Sequence, residues 1–240
     1  MAAAAAVFAV LSTRKARALE LPPRSPRKPT KCFLRGTRIR TPRGEVLVET
    51  LAVGDLVQTV DGNLQPITWV GRKVVERALD GTWSGDVAPV RIARSALGPL
   101  LPERDLYLSP AHALFIDGIL VPVRNLINGR SIAQVAVDGD TIEYFHIQLA
   151  SHDVVLAEGA PAETLLAASD LAADGWDEAM LPPPPTDGGE PVSYAPIVPA
   201  YGAVVLSRLR TALAPLVDRR QPVDIIWERI AERAETELAA

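Results

Sequence analysis

The sequence predicts a mainly β protein with a C-terminal helical extension. Short runs of β-branched and aliphatic residues fill the chain from residue 32 to about residue 160. Tight-turn dipeptides such as Asp61-Gly62 and Asp117-Gly118 separate these runs. Beyond residue 161 the apolar residues recur at helical spacing instead.

Composition indicates a globular protein. The chain has 240 residues, of which 48% are hydrophobic, and a formal net charge of −4. This length allows one well-cored domain with additional segments. No basic stripe with interleaved aromatics is present, so we do not expect nucleic acid as a partner. The only cysteine, Cys32, cannot form an internal disulfide, and the sequence therefore does not identify a redox compartment.

Residues 1–31 are interpreted as a leader followed by a linker. Residues 1–11 form an apolar run that is too short to span a bilayer. The next charges, beginning with Arg14, follow this run, which is the reverse of a secretory signal peptide. We therefore predict neither a membrane partner nor a localisation. Residues 22–31 are rich in proline and basic residues, which is typical of an extended linker.

Residues 32–166 are predicted to form the β domain, because short, evenly spaced strands are typical of an all-β body. The candidate strands are 37–41, 45–48, 56–60, 64–77, 87–92, 106–108, 113–116, 119–122, 132–137, 141–149 and 153–157. The turn dipeptides between them are Arg43-Gly44, Asp61-Gly62, Asp117-Gly118 and Asp138-Gly139. Single helical turns are expected at 49–51 and 123–128.

Residues 167–240 are predicted to contain an irregular proline-rich segment and amphipathic helices. A helix is expected over 162–168, at the boundary of this region. A second helix is expected over 205–216, and a third begins at Pro222. The apolar faces of these helices would pack against the β domain or against a protein partner.

Cys32 is the candidate nucleophile. It directly follows the linker in Lys31-Cys32-Phe33. A cysteine beside a mobile linker can turn its sulfur onto the preceding carbonyl, so no bound substrate is required. Proximity of this kind lowers a barrier by about 7–11 kcal/mol for well-oriented groups.

Ser109 and His112 are candidates for assisting the cleavage. They lie three residues apart at a strand end, and a turn at Pro110 would direct both side chains at one peptide group. His112 would donate a proton to the departing nitrogen. The hydroxyl or backbone N–H of Ser109 would hold the developing oxyanion. The alternative interpretation is a surface turn with a solvated histidine.

His146 and His152 lie near the last predicted strands. A histidine within an alternating strand is commonly a hydrogen-bonded structural residue. Together with Cys32 and His112 they are also chemically acceptable zinc ligands. The close paired spacing of such sites is missing, so we predict neither a metal site nor another cofactor.

Three blocks of the sequence resemble the Hedgehog/intein (Hint) superfamily, most closely its bacterial Hint-domain proteins. The blocks are residues 32–41 (CFLRGTRIRT) with residues 48–57 and Asp61-Gly62, residues 108–114 (LSPAHAL), and residues 144–159. The first resembles the N-terminal splicing motif and is the most specific. The second resembles the Thr-x-x-His block, and the third resembles a strand pair that carries His152 at the usual histidine position.

The resemblance implies a horseshoe-shaped β fold and an N-to-S acyl shift that joins Lys31 to Cys32 as a thioester. The substrate would then be the protein's own peptide bond. The resemblance implies that His112 activates this bond and that Ser109 occupies the usual threonine position.

His146 is implied to take the thiol proton, and His152 to assist the breakdown of a later intermediate. The segment after Gly159 reads Ala-Pro-Ala-Glu-Thr, without the His-Asn pair that splicing requires. We therefore expect cleavage or acyl transfer to water or an external nucleophile, and not full splicing. The alternatives are an inactive Hint-fold module that binds a partner through its C-terminal helices, and a thiol enzyme acting on another molecule.

Overall fold

Two antiparallel sheets form the body of the protein. The computed structural model describes residues 31–173, 176, 180–182, 191–198 and 220–238. The strands are β1 (Phe33–Leu34), β2 (Arg38–Thr41), β3 (Gly44–Leu47), β4 (Leu56–Gln58), β5 (Leu64–Glu76), β6 (Val90–Ile92), β7 (Leu106–Leu108), β8 (Ala113–Ile116), β9 (Ile119–Pro122), β10 (Ile132–Gln134), β11 (Thr141–Leu149), β12 (Val154–Ala157) and β13 (Ala160–Glu163). The predicted mainly β class is confirmed.

The shortest strand, β1, lies inside the larger sheet. That sheet has the order β10-β6-β7-β1-β11-β5-β4, and the smaller sheet has the order β3-β2-β12-β13-β8-β9. Phe33 pairs with Phe145 of β11 on one side and with Leu108 of β7 on the other. Cys32, immediately before β1, is therefore held between two strands at the centre of the sheet.

The hairpin between β8 and β9 confirms one predicted turn. Ile116 pairs with Ile119, which leaves only Asp117 and Gly118 in the loop. Both residues have positive φ, 50° and 83°. A two-residue hairpin loop of this kind needs positive φ at both positions, which explains the Asp-Gly sequence.

The side chains of Cys32 and Phe33 lie in two different hydrophobic clusters. Phe33 lies in the main core, among residues of both sheets such as Leu108 and Leu114. Cys32 lies in a second cluster with Tyr144 and Leu165. This division follows from the alternation of side chains along a strand.

The helix predicted over 162–168 is wrong. Residues up to Glu163 form β13, and α1 (Ala168–Ala173) begins later. The small apolar residues of this segment are buried between β12 and β8, and this pairing outweighs their weak helical preference.

The C-terminal helix is confirmed as α2 (Pro222–Leu238). Its first turn contains Pro222, and Asp224 accepts a hydrogen bond from the N–H of Gln221 at 2.7 Å. One face packs on the main core through Val223, Ile226 and Ile230. The predicted helix over 205–216 and the leader over 1–30 lie outside the described residues. In the described part, helices of the length and apolarity needed to cross a membrane are absent.

Candidate active site

The five candidate residues of the sequence analysis lie around one point of the fold. Four of them lie at strand ends, because Cys32 precedes β1, Ser109 follows β7, His112 precedes β8 and His152 precedes β12. His146 lies in the interior of β11. All five are buried. The alternative of a solvated histidine at residue 112 is therefore wrong.

Ser109 is bound to the peptide unit of Cys32 through two hydrogen bonds. The N–H of Cys32 donates to Ser109 Oγ at 2.7 Å. The N–H of Ser109 donates to the carbonyl oxygen of Cys32 at 3.0 Å. The predicted turn at Pro110 is present, because the N–H of His112 donates to the carbonyl oxygen of Ser109 at 3.0 Å.

These contacts show which side of the Lys31–Cys32 bond Ser109 binds. The nitrogen of Cys32 is the leaving atom in the Lys31–Cys32 bond, and the Ser109 hydroxyl binds its hydrogen. The backbone N–H of Ser109 is also engaged with Cys32 and not with Lys31. Ser109 therefore holds the nitrogen side of this bond.

His112 is a buried, neutral imidazole. Its ring packs on Phe33 at 4.4 Å and on His146 at 5.8 Å between ring centroids. Burial lowers the pKa of His112 to about 4, although the Glu163 carboxylate and backbone groups of Glu163 and Cys32 raise it. Neither ring nitrogen makes a hydrogen bond within the described residues. One of these nitrogens carries a hydrogen in the neutral ring, and the other can accept a proton.

His146 lies on β11, the strand that is adjacent to β1, at the level of Cys32. Phe33 pairs with Phe145 and Leu34 with Tyr144, so extending this register by one residue sets Cys32 opposite His146. Burial lowers the pKa of His146 well below its ordinary value, and the neighbouring His112 lowers it further. The imidazole is therefore neutral near pH 7.

A buried carboxylate, Glu163, completes the cluster. It lies at the end of β13, where its Oε1 accepts the N–H of Ala113 at 2.8 Å. Its Oε2 is 3.7 Å from Nε2 of His152. Burial raises the pKa of Glu163, but His152, Lys31, His112 and the Ala113 N–H together hold it below its ordinary value. Glu163 is thus a buried negative charge beside two of the candidate histidines.

Lys31 brings a positive charge to this carboxylate. Its Nζ lies 3.7 Å from Oε2 of Glu163 and 3.4 Å from Oδ2 of Asp170. On the other side of the cluster, Nδ1 of His152 accepts the N–H of Tyr194 at 2.9 Å. The residues on both sides of the Lys31–Cys32 bond are consequently fixed to the protein.

Comparison with known protein families identifies the family of this chain. The family described as the Hint domain matches residues 31–169, which is more than half of the chain. The chain belongs to the Hint domain family. The match begins at Lys31, so it includes both residues of the candidate bond, and the resemblance stated from the sequence is confirmed.

Solved structures similar to this Hint domain include inteins and an intein-like domain. A bacterial intein-like domain from Clostridium thermocellum is 14% identical, with a TM-score of 0.41, over 56% of this chain and 99% of that one. The MchDnaB-1 intein is 16% identical, with a TM-score of 0.39, over 56% and 99%. A DnaB intein from Synechocystis is 13% identical, with a TM-score of 0.37, over 57% and 99%. Among curated proteins, no relative matches the chain.

The sequence analysis of this Hint domain missed Glu163. One signal was available, since Glu163 is the only charged residue in the small apolar run from Ala160 to Leu166. A charge in such a run is buried only when it is paired. The alternative of a zinc site gains no support, because the described His, Cys, Asp and Glu side chains include no group of three arranged as metal ligands.

Proposed function

We propose that the domain cleaves the bond between Lys31 and Cys32 by an N-to-S acyl shift. Sγ of Cys32 attacks the carbonyl carbon of Lys31, the C–N bond breaks, and the thiol proton passes to the released amine. The products are a thioester and a free α-amino group, both on Cys32. The observation that carries this proposal is the hydrogen bond from the Cys32 N–H to Ser109 Oγ at 2.7 Å, beside His112.

The histidines supply the path for the proton. With a pKa of about 4, His112 is neutral at pH 7 and can accept a proton. The imidazolium that results is a stronger acid than ordinary histidine, so it readily protonates a poor leaving group such as an amide nitrogen. His146, opposite Cys32, is the second group able to take the thiol proton. His152, whose Nε2 lies 3.7 Å from Oε2 of Glu163, would assist a later step.

In this proposal the thioester is resolved by hydrolysis or by transfer of its acyl group to another nucleophile. In inteins the C-terminal flank is released by cyclisation of an asparagine, and here the corresponding segment is β13, with Glu163 and then Thr164. A carboxylate and a threonine cannot perform that cyclisation. Water, a thiol or another external nucleophile must resolve the thioester, and the burial of Cys32 favours small ones.

Hydroxylamine treatment tests the proposal. Hydroxylamine attacks the thioester carbonyl and leaves a hydroxamate on Lys31 and a free thiol on Cys32. We expect intact-mass spectrometry of the wild-type protein to show a fragment that begins at Cys32, accumulating faster with hydroxylamine than without it. A wild-type chain that stays intact under both conditions would contradict the proposal.

One observation favours the alternative of an inactive Hint-fold module. Cys32, His112 and His146 have no exposed surface, so a nucleophile reaches the thioester only if the cluster opens. In this alternative the chain remains intact, and the cluster acts only as part of the core. The hydroxylamine experiment separates the two functions.

Ser109→Ala is expected to slow the cleavage by about 10-fold to 100-fold, because one hydrogen bond to the reacting peptide is worth about 1–3 kcal/mol. The buried N–H of Cys32 would also lose its acceptor. Ser109→Thr keeps the hydroxyl and serves as the matched control, with a rate close to wild type. The check is the rate of appearance of the fragment that begins at Cys32. Equal rates for the alanine and threonine variants would show that the hydroxyl has no role.

A further inference from the structure

Two carboxylates surround the side chain that precedes the cleaved bond. Nζ of Lys31 lies 3.7 Å from Oε2 of Glu163 and 3.4 Å from Oδ2 of Asp170. The Glu163 side chain is 1% exposed, the Lys31 side chain 22% and the Asp170 side chain 36%. The ammonium group is thus close to one fully buried carboxylate and one that solvent reaches.

One oxygen of the buried Glu163 carboxylate faces the ammonium group of Lys31. Oε1 of Glu163 is used by the N–H of Ala113, but Oε2 has no hydrogen bond within the described residues. The lysine ammonium beside Oε2 is Nζ of Lys31, at 3.7 Å. A buried carboxylate oxygen that lacks a hydrogen bond is costly unless a positive charge lies beside it.

We propose that Glu163 and Asp170 form a subsite that selects a basic residue immediately before the cleaved bond. This inference rests on the proposed cleavage. It concerns which acyl group the domain accepts, and it identifies that group as one that carries a positively charged side chain.

The subsite would act through orientation. The nitrogen side of the bond is fixed by Ser109, which binds the N–H of Cys32. The carbonyl side is fixed by the side chain of Lys31, because Lys31 carries the carbon that Sγ attacks. Holding both sides keeps the carbonyl within reach of the sulfur, and such positioning lowers the barrier of a reaction within one molecule. A neutral side chain at residue 31 would lose the attraction of the Glu163 and Asp170 carboxylates that helps to hold the carbonyl side.

Substitutions at residue 31 test the subsite. With hydroxylamine as the nucleophile, we expect Lys31→Arg to be cleaved at nearly the wild-type rate. Lys31→Met, which has a similar length but no charge, should be slower by about tenfold or more. Lys31→Gln is a second neutral variant with a polar end and should behave like Lys31→Met. Thermal unfolding of each variant would check that the fold is retained.

Asp170 provides the second half of the test. Asp170→Asn should slow the cleavage of the wild-type chain but should not slow Lys31→Met further, since the pair is already broken there. Asp117→Asn breaks an exposed ion pair with Arg229 elsewhere and should leave the rate unchanged.

The outcomes separate this inference from the proposed function. A wild-type chain that hydroxylamine does not cleave overturns both. A wild-type chain that is cleaved no faster than Lys31→Met and Lys31→Gln overturns the subsite alone. An additive effect of Asp170→Asn in the Lys31→Met background also overturns it, because Asp170 would then act independently of the lysine.

Discussion

Cys32→Ala is expected to remove all cleavage after Lys31. Alanine has no nucleophilic atom, and the proposed acyl shift has no other reagent, because Cys32 is the only cysteine in the chain. Intact-mass spectrometry with and without hydroxylamine should show only the full-length chain. Any remaining fragment that begins at residue 32 would require a different nucleophile and would contradict the mechanism.

The same variant should have a lower free energy of unfolding but should still fold. The Cys32 side chain is fully buried beside Tyr144 and Leu165, so the loss of its sulfur leaves a small cavity that costs about 1–2 kcal/mol. Cys32→Ser is the matched control, since it keeps a weaker nucleophile of similar size. Urea unfolding would distinguish a chain that is intact because its nucleophile is missing from one that is misfolded.

The hairpins show which parts of the fold could be predicted from the sequence alone. Asp117-Gly118 was predictable because aspartate and glycine both adopt positive φ readily, and the strands on either side are clearly apolar. The hairpin between β12 and β13 has the same two-residue form, with φ of 48° at Glu158 and 81° at Gly159. Glutamate is not a typical turn residue, so this second turn was not predicted.

Contacts distant in sequence explain why Glu158 occupies that turn. Its Oε1 accepts the N–H of Arg38 at 2.8 Å, and its Oε2 accepts Nε of Arg104 at 2.7 Å. Neither partner is a neighbour in the chain, so local propensity could not indicate them. Missing this turn also meant missing β13, which led to the wrong helix over 162–168.

The candidate site was predictable where chemistry depends on residue type. Cysteine and histidine are few in this chain, so each one was a candidate, and the structure places Cys32 and the three histidines near one another. Glu163 is one of 29 acidic residues, and its position beside the histidines depends on how β13 pairs with β12 and β8. The direction of the Ser109 hydroxyl was likewise beyond the sequence, because it depends on how β7 lies beside β1.

His112→Ala is expected to slow the acyl shift by about 10²-fold to 10⁴-fold, the usual contribution of a group that transfers a proton in the transition state. His112 is the residue of the Ser109–His112 turn that carries an ionisable side chain, and its ring contacts Phe33 directly after the nucleophile. The check is the rate of the hydroxylamine-dependent fragment in variant and wild type.

His112 should also affect stability in acid. Its pKa is about 4 in the folded protein and about 6.5 in an unfolded chain. Between these values the unfolded state binds more protons, so the free energy of unfolding decreases as the pH falls through this window, by about 3 kcal/mol in total. His112→Gln cannot take up this proton. Its free energy of unfolding, measured with urea, should therefore fall less over the same window.

The two measurements together separate a proton-transfer role from a packing role. If His112 only fills space, His112→Gln, with a side chain of comparable size, should retain the cleavage rate while losing the acid sensitivity. If His112 transfers the proton, both variants lose the rate, because glutamine has no basic nitrogen at neutral pH. Added imidazole should then restore part of the rate to His112→Ala, since that variant leaves a cavity beside Phe33 that fits the missing ring, and it should not restore His112→Gln, where the cavity is filled.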